Sequence, residues 1–200
     1  LMKPSVLFSV PMVVEQMYQN IILAVKDQKK EKLFEVMIKV SSILRKMGFS
    51  CYKKLFANVR EQFGGNLKLI VCGGSNLDQD YIDFFDNIGI NVVHGYGITE
   101  CSPLLSANPD CCKKRYSVGP VVSCCQVKVD NSQNYGCYNG HEVGEIMAKG
   151  DNIMLGYYND TQGTREVMKG EWFKTGDIGY IDEDNYLFIT GRVKNLIILA

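Results

Sequence analysis

LKLIVCGGSNLDQDYIDFFDNIGINVVHGYGITE, residues 67–100, is the stretch that decides the fold class. Leu67 to Cys72 is a short apolar run suited to a strand, and Gly73-Gly74-Ser75 turns the chain out of it. Ser75 and Asp78 have capping-box spacing ahead of a helix whose apolar face is Leu77, Tyr81, Phe84 or Phe85, and Ile88. Gly89 closes that helix, and Ile90 to His94 is the next strand. A strand-helix-strand unit implies parallel strands joined by a right-handed crossover. Both glycine turns, Gly73-Gly74-Ser75 and Gly95-Tyr96-Gly97, then follow the carboxyl ends of strands. In open α/β sheets that edge is where ligands bind.

The end of this stretch, Gly95 to Glu100, has the makings of a phosphate site. Glycine lets the backbone approach a ligand, because no Cβ holds it off. The Thr99 hydroxyl can donate to a phosphate oxygen, and the Glu100 carboxylate can hold a magnesium ion that bridges phosphates. The same six residues also read as an ordinary turn followed by a polar helix start. Position at the ligand edge, beside a second glycine turn, favours the first reading.

Upstream, Ser5 to Val10 reads as a buried strand closed by Pro11, and Val13 to Val25 has helical apolar spacing. A second helix places Leu33, Val36, Met37, Val40, Ile43, Leu44 and Met47 on one face, expected to be core, and Gly48 ends it. A third carries Leu55, Phe56, Val59 and Phe63. Beyond about Cys112 the helical patterns give way to short strands between turns. These are Gln126 to Val129, Gly144 to Lys149, Ile153 to Tyr158, Gly179 to Asp182 and Tyr186 to Thr190, with a short helix over Thr161 to Met168. The expected fold is therefore α/β, a parallel-sheet portion followed by a small, mainly antiparallel β portion, changing over near residues 108–116.

Composition narrows the function classes. Net charge is zero, which argues against nucleic acid as the main partner. No apolar run reaches the roughly 18 residues needed to cross a bilayer, so no transmembrane segment is expected. The run Val6 to Val14 is broken by Pro11 and lacks a cleavage site, so a signal peptide is not expected either. The eight cysteines include two adjacent pairs, Cys111-Cys112 and Cys124-Cys125, and none of the C-x₂-C spacing that zinc favours. They read as free thiols in a reducing cytoplasm. The chain opens without an initiator methionine and stops inside an apolar run, Leu196 to Ala200, as a piece of a longer protein would.

Three further positions could carry chemistry. Asp177, in WFKTGD, reads as a turn carboxylate whose two oxygens suit a vicinal diol such as ribose, or as an Asx-type turn capping its own backbone. Arg192 ends a strand with a permanently charged guanidinium that could bind phosphate or ribose, or pair with a surface carboxylate. Lys194 reads most simply as a solvated lysine. Of the two histidines, His141 is expected to be exposed, and Asp182-Glu183-Asp184 reads as a solvated turn.

The ordered segments CGGSNL, HGYGITECSP, SVGPVV, GEIMAKGDNIMLGYY, WFKTGDIGYID and ITGRVKNLIIL closely resemble the adenylate-forming (AMP-dependent) acyl-CoA synthetase superfamily, most of all its bacterial long-chain fatty acid type. The resemblance runs from about residue 4 to residue 200. It implies an ATP-dependent fatty acid–CoA ligase using ATP, Mg²⁺ and coenzyme A, with peripheral membrane contact open. It implies that Gly73, Gly74 and Ser75 lie along the adenosine; many members have alanine at the position of Ser75. Tyr96 would stack on adenine between the close backbones of Gly95 and Gly97. Thr99 would contact the phosphates, Glu100 the magnesium, Asp177 the ribose hydroxyls and Arg192 the ribose, with Lys194 as the hinge.

By the same resemblance, residues 1–112 form the later part of the α/β adenylate-binding subdomain, 113–190 a β-barrel-like subdomain, and 191–200 a hinge and stub. The family's phosphate loop and its C-terminal domain with the catalytic lysine are expected outside these residues, so the isolated chain is expected to be inactive. Acyl-acyl carrier protein synthetases and aryl-CoA ligases of the same superfamily remain alternatives. Outside it stand a non-catalytic nucleotide-binding module and a thiol-based metal or redox protein.

Overall fold

The computed structural model describes residues 3–195, which fall into two compact units divided between Val93 and His94. In the first unit, β1 (Val6–Ser9) is followed by α1 (Pro11–Asp27), α2 (Glu31–Lys46), α3 (Tyr52–Leu55), α4 (Ala57–Gln62), β2 (Leu69–Cys72) and α5 (Gln79–Asn87). The strand β3 (Asn91–Tyr96) then leads out of it. β1 pairs in parallel with β2, from Val6 opposite Leu69 to Ser9 opposite Cys72. β2 and β3 are neighbours in the sheet. One apolar core, including Val14, Ile21, Phe56, Ile70, Phe85 and Ile88, fills the space between sheet and helices.

Three expectations about this unit need correction. β1 is an edge strand, not a buried one: Phe8 is 79% exposed. Pro11 opens α1, where its missing N–H costs nothing and its fixed φ suits the first turn. Most of the expected core face of α2 points outward: Leu33, Val36, Val40, Ile43 and Met47 are exposed, Met37 and Leu44 are half-buried, and the helix buries Phe34 and Ser41 instead. The α5 cap is Asp78, whose Oδ1 accepts from Asp80 N at 3.0 Å, rather than Ser75. Gly89 does end α5, at φ +79°, and a Cβ there would strike the Tyr52 ring.

The second unit is built from β4 (Ser106–Ala107), β5 (Gly119–Pro120), β6 (Cys125–Asp130), β7 (Cys137–Tyr138), β8 (His141–Glu142), β9 (Gly144–Gly150), α6 (Thr161–Val167), β10 (Met168–Lys169), β11 (Trp172–Ile181) and β12 (Tyr186–Arg192). Its main sheet has the order β5-β12-β11-β9-β6, with every pairing antiparallel. The α/β class, parallel strands first and antiparallel strands after, is as the sequence implied.

Three local assignments change. Ile153 to Tyr158 is irregular instead of extended, closed by a Tyr157–Asp160 bridge. His141 is half-buried and stacks on Tyr180 at 4.5 Å between centroids. Asp182 is buried: its Oδ1 accepts from the N–H groups of Asp184 (3.1 Å) and Tyr186 (2.9 Å), and it pairs with Lys114 through Oδ2.

Candidate nucleotide site

Gly95 and Tyr96 are the last residues of β3, paired with Ala107 and Ser106 of β4, so the GYGITE stretch is half strand and half turn. A Cβ on Gly97 would collide with the Pro103 carbonyl. Glycine at 97 is therefore required by the chain's own return, quite apart from any ligand. Thr99–Cys101 forms a single 3₁₀ turn closed by Ser102 at φ +55°. Thr99 is exposed on it and Glu100 half-buried.

Two anchors fix this turn. The Glu100 carbonyl accepts from Met154 N at 2.8 Å, and the Asn152 amide donates to the carbonyls of Cys101 and Leu104, each at 3.1 Å. At the side chain, Tyr157 donates its hydroxyl to Glu100 Oε1 at 2.9 Å. Burial, then the bond to Glu100, raises the Tyr157 pKa, which keeps it a donor to the carboxylate.

A second cluster forms where β11 departs from regular pairing with β9 between Lys174 and Ile178. Gly176 takes φ +71° there, and Asp177 is turned inward, only 5% exposed. Asp177 thus lies in a strand irregularity and not on the isolated tight turn expected. Its Oδ2 accepts from the Tyr96 hydroxyl at 2.8 Å and its Oδ1 from Arg192 Nε at 2.7 Å. Thr175 supports the arrangement from below, donating to the Ile146 carbonyl at 2.8 Å and accepting from Asp177 N at 3.1 Å. Burial pushes the Tyr96 phenol far above its ordinary value, and the Asp177 charge adds to this. Tyr96 therefore acts as a donor at any working pH. The Asp177 carboxylate, in turn, raises the pKa of the half-exposed Arg192 guanidinium.

The structure brings Tyr96, Asp177 and Arg192 into direct contact and places Thr99 and Glu100 on one turn with Tyr157 bound to it. Gly73, Gly74 and Ser75 belong to the first unit, where Gly73 N donates to Ser9 O at 3.3 Å, Gly74 has φ +93° and Ser75 is exposed. Lys194 sits exposed in a 3₁₀ turn, Val193–Asn195. Sequence reasoning assigned no role to Tyr157, Thr175 or Asn152, although Tyr157 and Asn152 lie in the quoted GDNIMLGYY segment and Thr175 in WFKTGD.

Among the described residues no group of three or more His, Cys, Asp or Glu gathers as a metal cage. A magnesium ion that arrives with phosphates needs only one or two protein carboxylates, because water and phosphate oxygens complete its octahedron. The half-buried Glu100 carboxylate, oriented by Tyr157, fits that requirement.

A family profile described as "AMP-binding enzyme" matches residues 2–158. The chain is 34% identical over 210 aligned residues to the Arabidopsis thaliana protein "Long chain acyl-CoA synthetase 7, peroxisomal", covering 100% of this chain and 30% of that one. The N-terminal domain of FACL13 from Mycobacterium tuberculosis shares the fold with a TM-score of 0.63 at 23% identity, over 94% of this chain and 39% of that one. The O-succinylbenzoate coenzyme A synthetase MenE of Bacillus subtilis, solved in complex with ATP and magnesium ion, gives a TM-score of 0.58 at 26% identity, over 73% and 31%. The chain spans less than two fifths of the length of each of these proteins.

Proposed function

The chain belongs to the AMP-binding enzyme family, and from that membership we propose that the whole protein is an ATP-dependent fatty acid–CoA ligase. In the first half-reaction a fatty acid carboxylate oxygen attacks the α-phosphorus of ATP, and pyrophosphate leaves. In the second, the coenzyme A thiol sulfur attacks the acyl carbon, and AMP leaves. The first step brings two anions together, so it depends on positioning and charge neutralisation more than on covalent help. Magnesium, when bound with ATP, supplies that neutralisation, and Glu100 would hold it.

The protein's own groups do the placing. The observation that best supports this reading is the Asp177 carboxylate, buried and fixed between Tyr96 and Arg192. A carboxylate whose orientation is set in advance can accept from two ribose hydroxyls without ordering cost at binding. Tyr96 would present its ring to adenine while its hydroxyl steadies Asp177, and Arg192 would reach the ribose. Thr99 would contact the phosphates. Gly95 and Gly97 would allow close approach of the backbone, Gly73, Gly74 and Ser75 would lie along the adenosine, and Lys194 would act as a hinge.

In this reading residues 1–112 belong to the α/β adenylate-binding subdomain, 113–190 to a β subdomain, and 191–200 to the hinge region. We place the protein in the cytoplasm. Among the described residues no helix is long and apolar enough to cross a membrane.

The test is ATP–pyrophosphate exchange by the full-length protein over a panel of fatty and aryl acids. Glu100→Ala should slow exchange with the preferred acid by about 100-fold, the scale of losing one preorganised charge contact. Unchanged exchange would remove Glu100 from the proposal. ATP binding without exchange for any acid would replace the ligase with a nucleotide-binding module, and a preference for aryl acids would reassign the substrate.

A further inference from the structure

Cys111 and Cys112 end the 3₁₀ turn Asp110–Cys112, both exposed, and neither takes part in the nucleotide site. Their sulfurs lie 3.3 Å apart. The turn is pinned from both sides. Tyr186 donates its hydroxyl to the Cys112 carbonyl at 2.7 Å, and Lys114 reaches Asp182 and also Asp184 at 2.7 Å. Asn108 donates to the carbonyls of Lys114 (2.8 Å) and Ser117 (3.1 Å). Two thiols held together in this way bind a shared ligand with little ordering cost.

We propose that Cys111 and Cys112 form a two-thiol clamp for a soft, thiophilic centre of the trivalent arsenical class. Geometry selects the class. Two sulfurs 3.3 Å apart, each about 2.3 Å from one centre, enclose an angle of roughly 90°. Tetrahedral zinc needs a wider angle and four ligands, and among the described residues no third or fourth metal-binding side chain joins this pair. Arsenic(III) keeps a lone pair, which closes its S–As–S angle toward a right angle. When it carries one organic substituent, two sulfurs complete it.

The chemistry balances without an oxidant. Two As–S bonds form and two S–H bonds break. The arsenic-bound oxygen leaves as water with both thiol protons, and no oxidation state changes. Contact with Cys112 raises the Cys111 thiol pKa. The other adjacent pair is less available, because the half-buried Cys125 thiol is directed at the carbonyls of Leu105 (3.8 Å) and Val122 (3.7 Å). Cys101 is fully buried, and burial pushes its thiol up to about 12.

The probe is phenylarsine oxide, added at one equivalent to the full-length protein, followed by maleimide labelling and peptide mass analysis. Cys111 and Cys112 should lose maleimide reactivity together and regain it with 2,3-dimercaptopropanol but not with an equal concentration of a monothiol. Cys111→Ser and Cys112→Ser should each weaken arsenical retention by about 100-fold or more, the value of a second tethered contact, while Cys124→Ser leaves it unchanged. Both positions are exposed, so thermal melts of the serine variants serve as the folding control. Protection of only one of the two thiols, protection centred on Cys124 and Cys125, or retention surviving Cys111→Ser would each overturn the proposal.

Discussion

Among the described residues of the first unit the buried apolar side chains from Val14 to Val92 make one continuous cluster, and buried polar groups are few: Ser41, Asp86 and Asn87. Among the described residues of the second unit the apolar core breaks into three small clusters around Phe173, Leu187 and Tyr180. The same unit also buries His94, Ser106, Asn108, Ser117, Thr175, Asp177 and Asp182. Apolar burial is non-directional and yields stability in proportion to area. Buried polar groups need partners at set distances, so they fix geometry at the cost of desolvation. The first unit is accordingly built for stability, and the second for holding particular atoms in place. Asp177, the residue with the most exacting role in the proposed chemistry, lies in the second.

The largest effect that would test this contrast is expected in the first unit. Phe85 is fully buried and packs edge-on against Phe84 at 5.4 Å. Phe85→Ala should cost about 3–5 kcal/mol, the usual price of an aromatic cavity. Chemical denaturation followed by fluorescence checks it, and a cost below 1 kcal/mol would mean that this core is not the rigid one described.

Asp177→Ala should behave in the opposite way. It removes a carboxylate that engages two groups, and it strands the Tyr96 hydroxyl, at a stability cost of about 1–3 kcal/mol. ATP affinity should fall about 100-fold, judged by calorimetry on the full-length protein. If stability fell as far as for Phe85→Ala while ATP binding held, Asp177 would be a structural residue and the contrast between the units would fail.

The contrast also explains what could be read from the sequence. The strand-helix-strand unit was legible because apolar runs, a change of period and glycine stops are local signals, and they recur in β2, α5 and β3. Which side of α2 faces a neighbour is not local. The stripe Leu33, Val36, Val40, Ile43 and Met47 is regular, yet it lies outside while Phe34 is buried. The run Ile153 to Tyr158 looked extended, but Gly156 at φ +151° and the bond from Tyr157 N to Thr164 Oγ1 make it a turn. At the site, residue types were legible and partners were not. Tyr96 and Asp177 are 81 positions apart, Tyr157 and Glu100 57 apart, and no periodicity relates them.

A smaller effect, visible only with pH, should come from Asp182. Burial alone would raise its carboxyl, but the Lys114 ammonium and the N–H groups of Tyr186 and Asp184 outweigh this and hold it below the ordinary value. A depressed folded pKa gives stability that is present above about pH 4 and lost as pH falls through the folded value. Asp182→Asn should therefore lower the melting midpoint by a few degrees at pH 7, and the gap from wild type should close in acid. A gap that stayed constant down to pH 3 would show that the ion pair with Lys114 contributes nothing.

Smallest of all should be Tyr157→Phe. The Tyr157 residue is 38% exposed, so losing its bond to Glu100 should cost no more than about 0.5–1 kcal/mol of stability, and the melt should barely move. Its consequence should appear in function. Without the hydroxyl, Glu100 Oε1 loses the donor that orients it, and a carboxylate free to rotate holds magnesium less well. The magnesium concentration needed for half-maximal ATP–pyrophosphate exchange should rise a few-fold, with the rate at saturating magnesium nearly unchanged. That split distinguishes orientation of Glu100 from a general loosening of the turn, which would lower the saturated rate as well. An identical magnesium dependence in the two proteins would leave Tyr157 as a surface tyrosine that happens to lie beside Glu100.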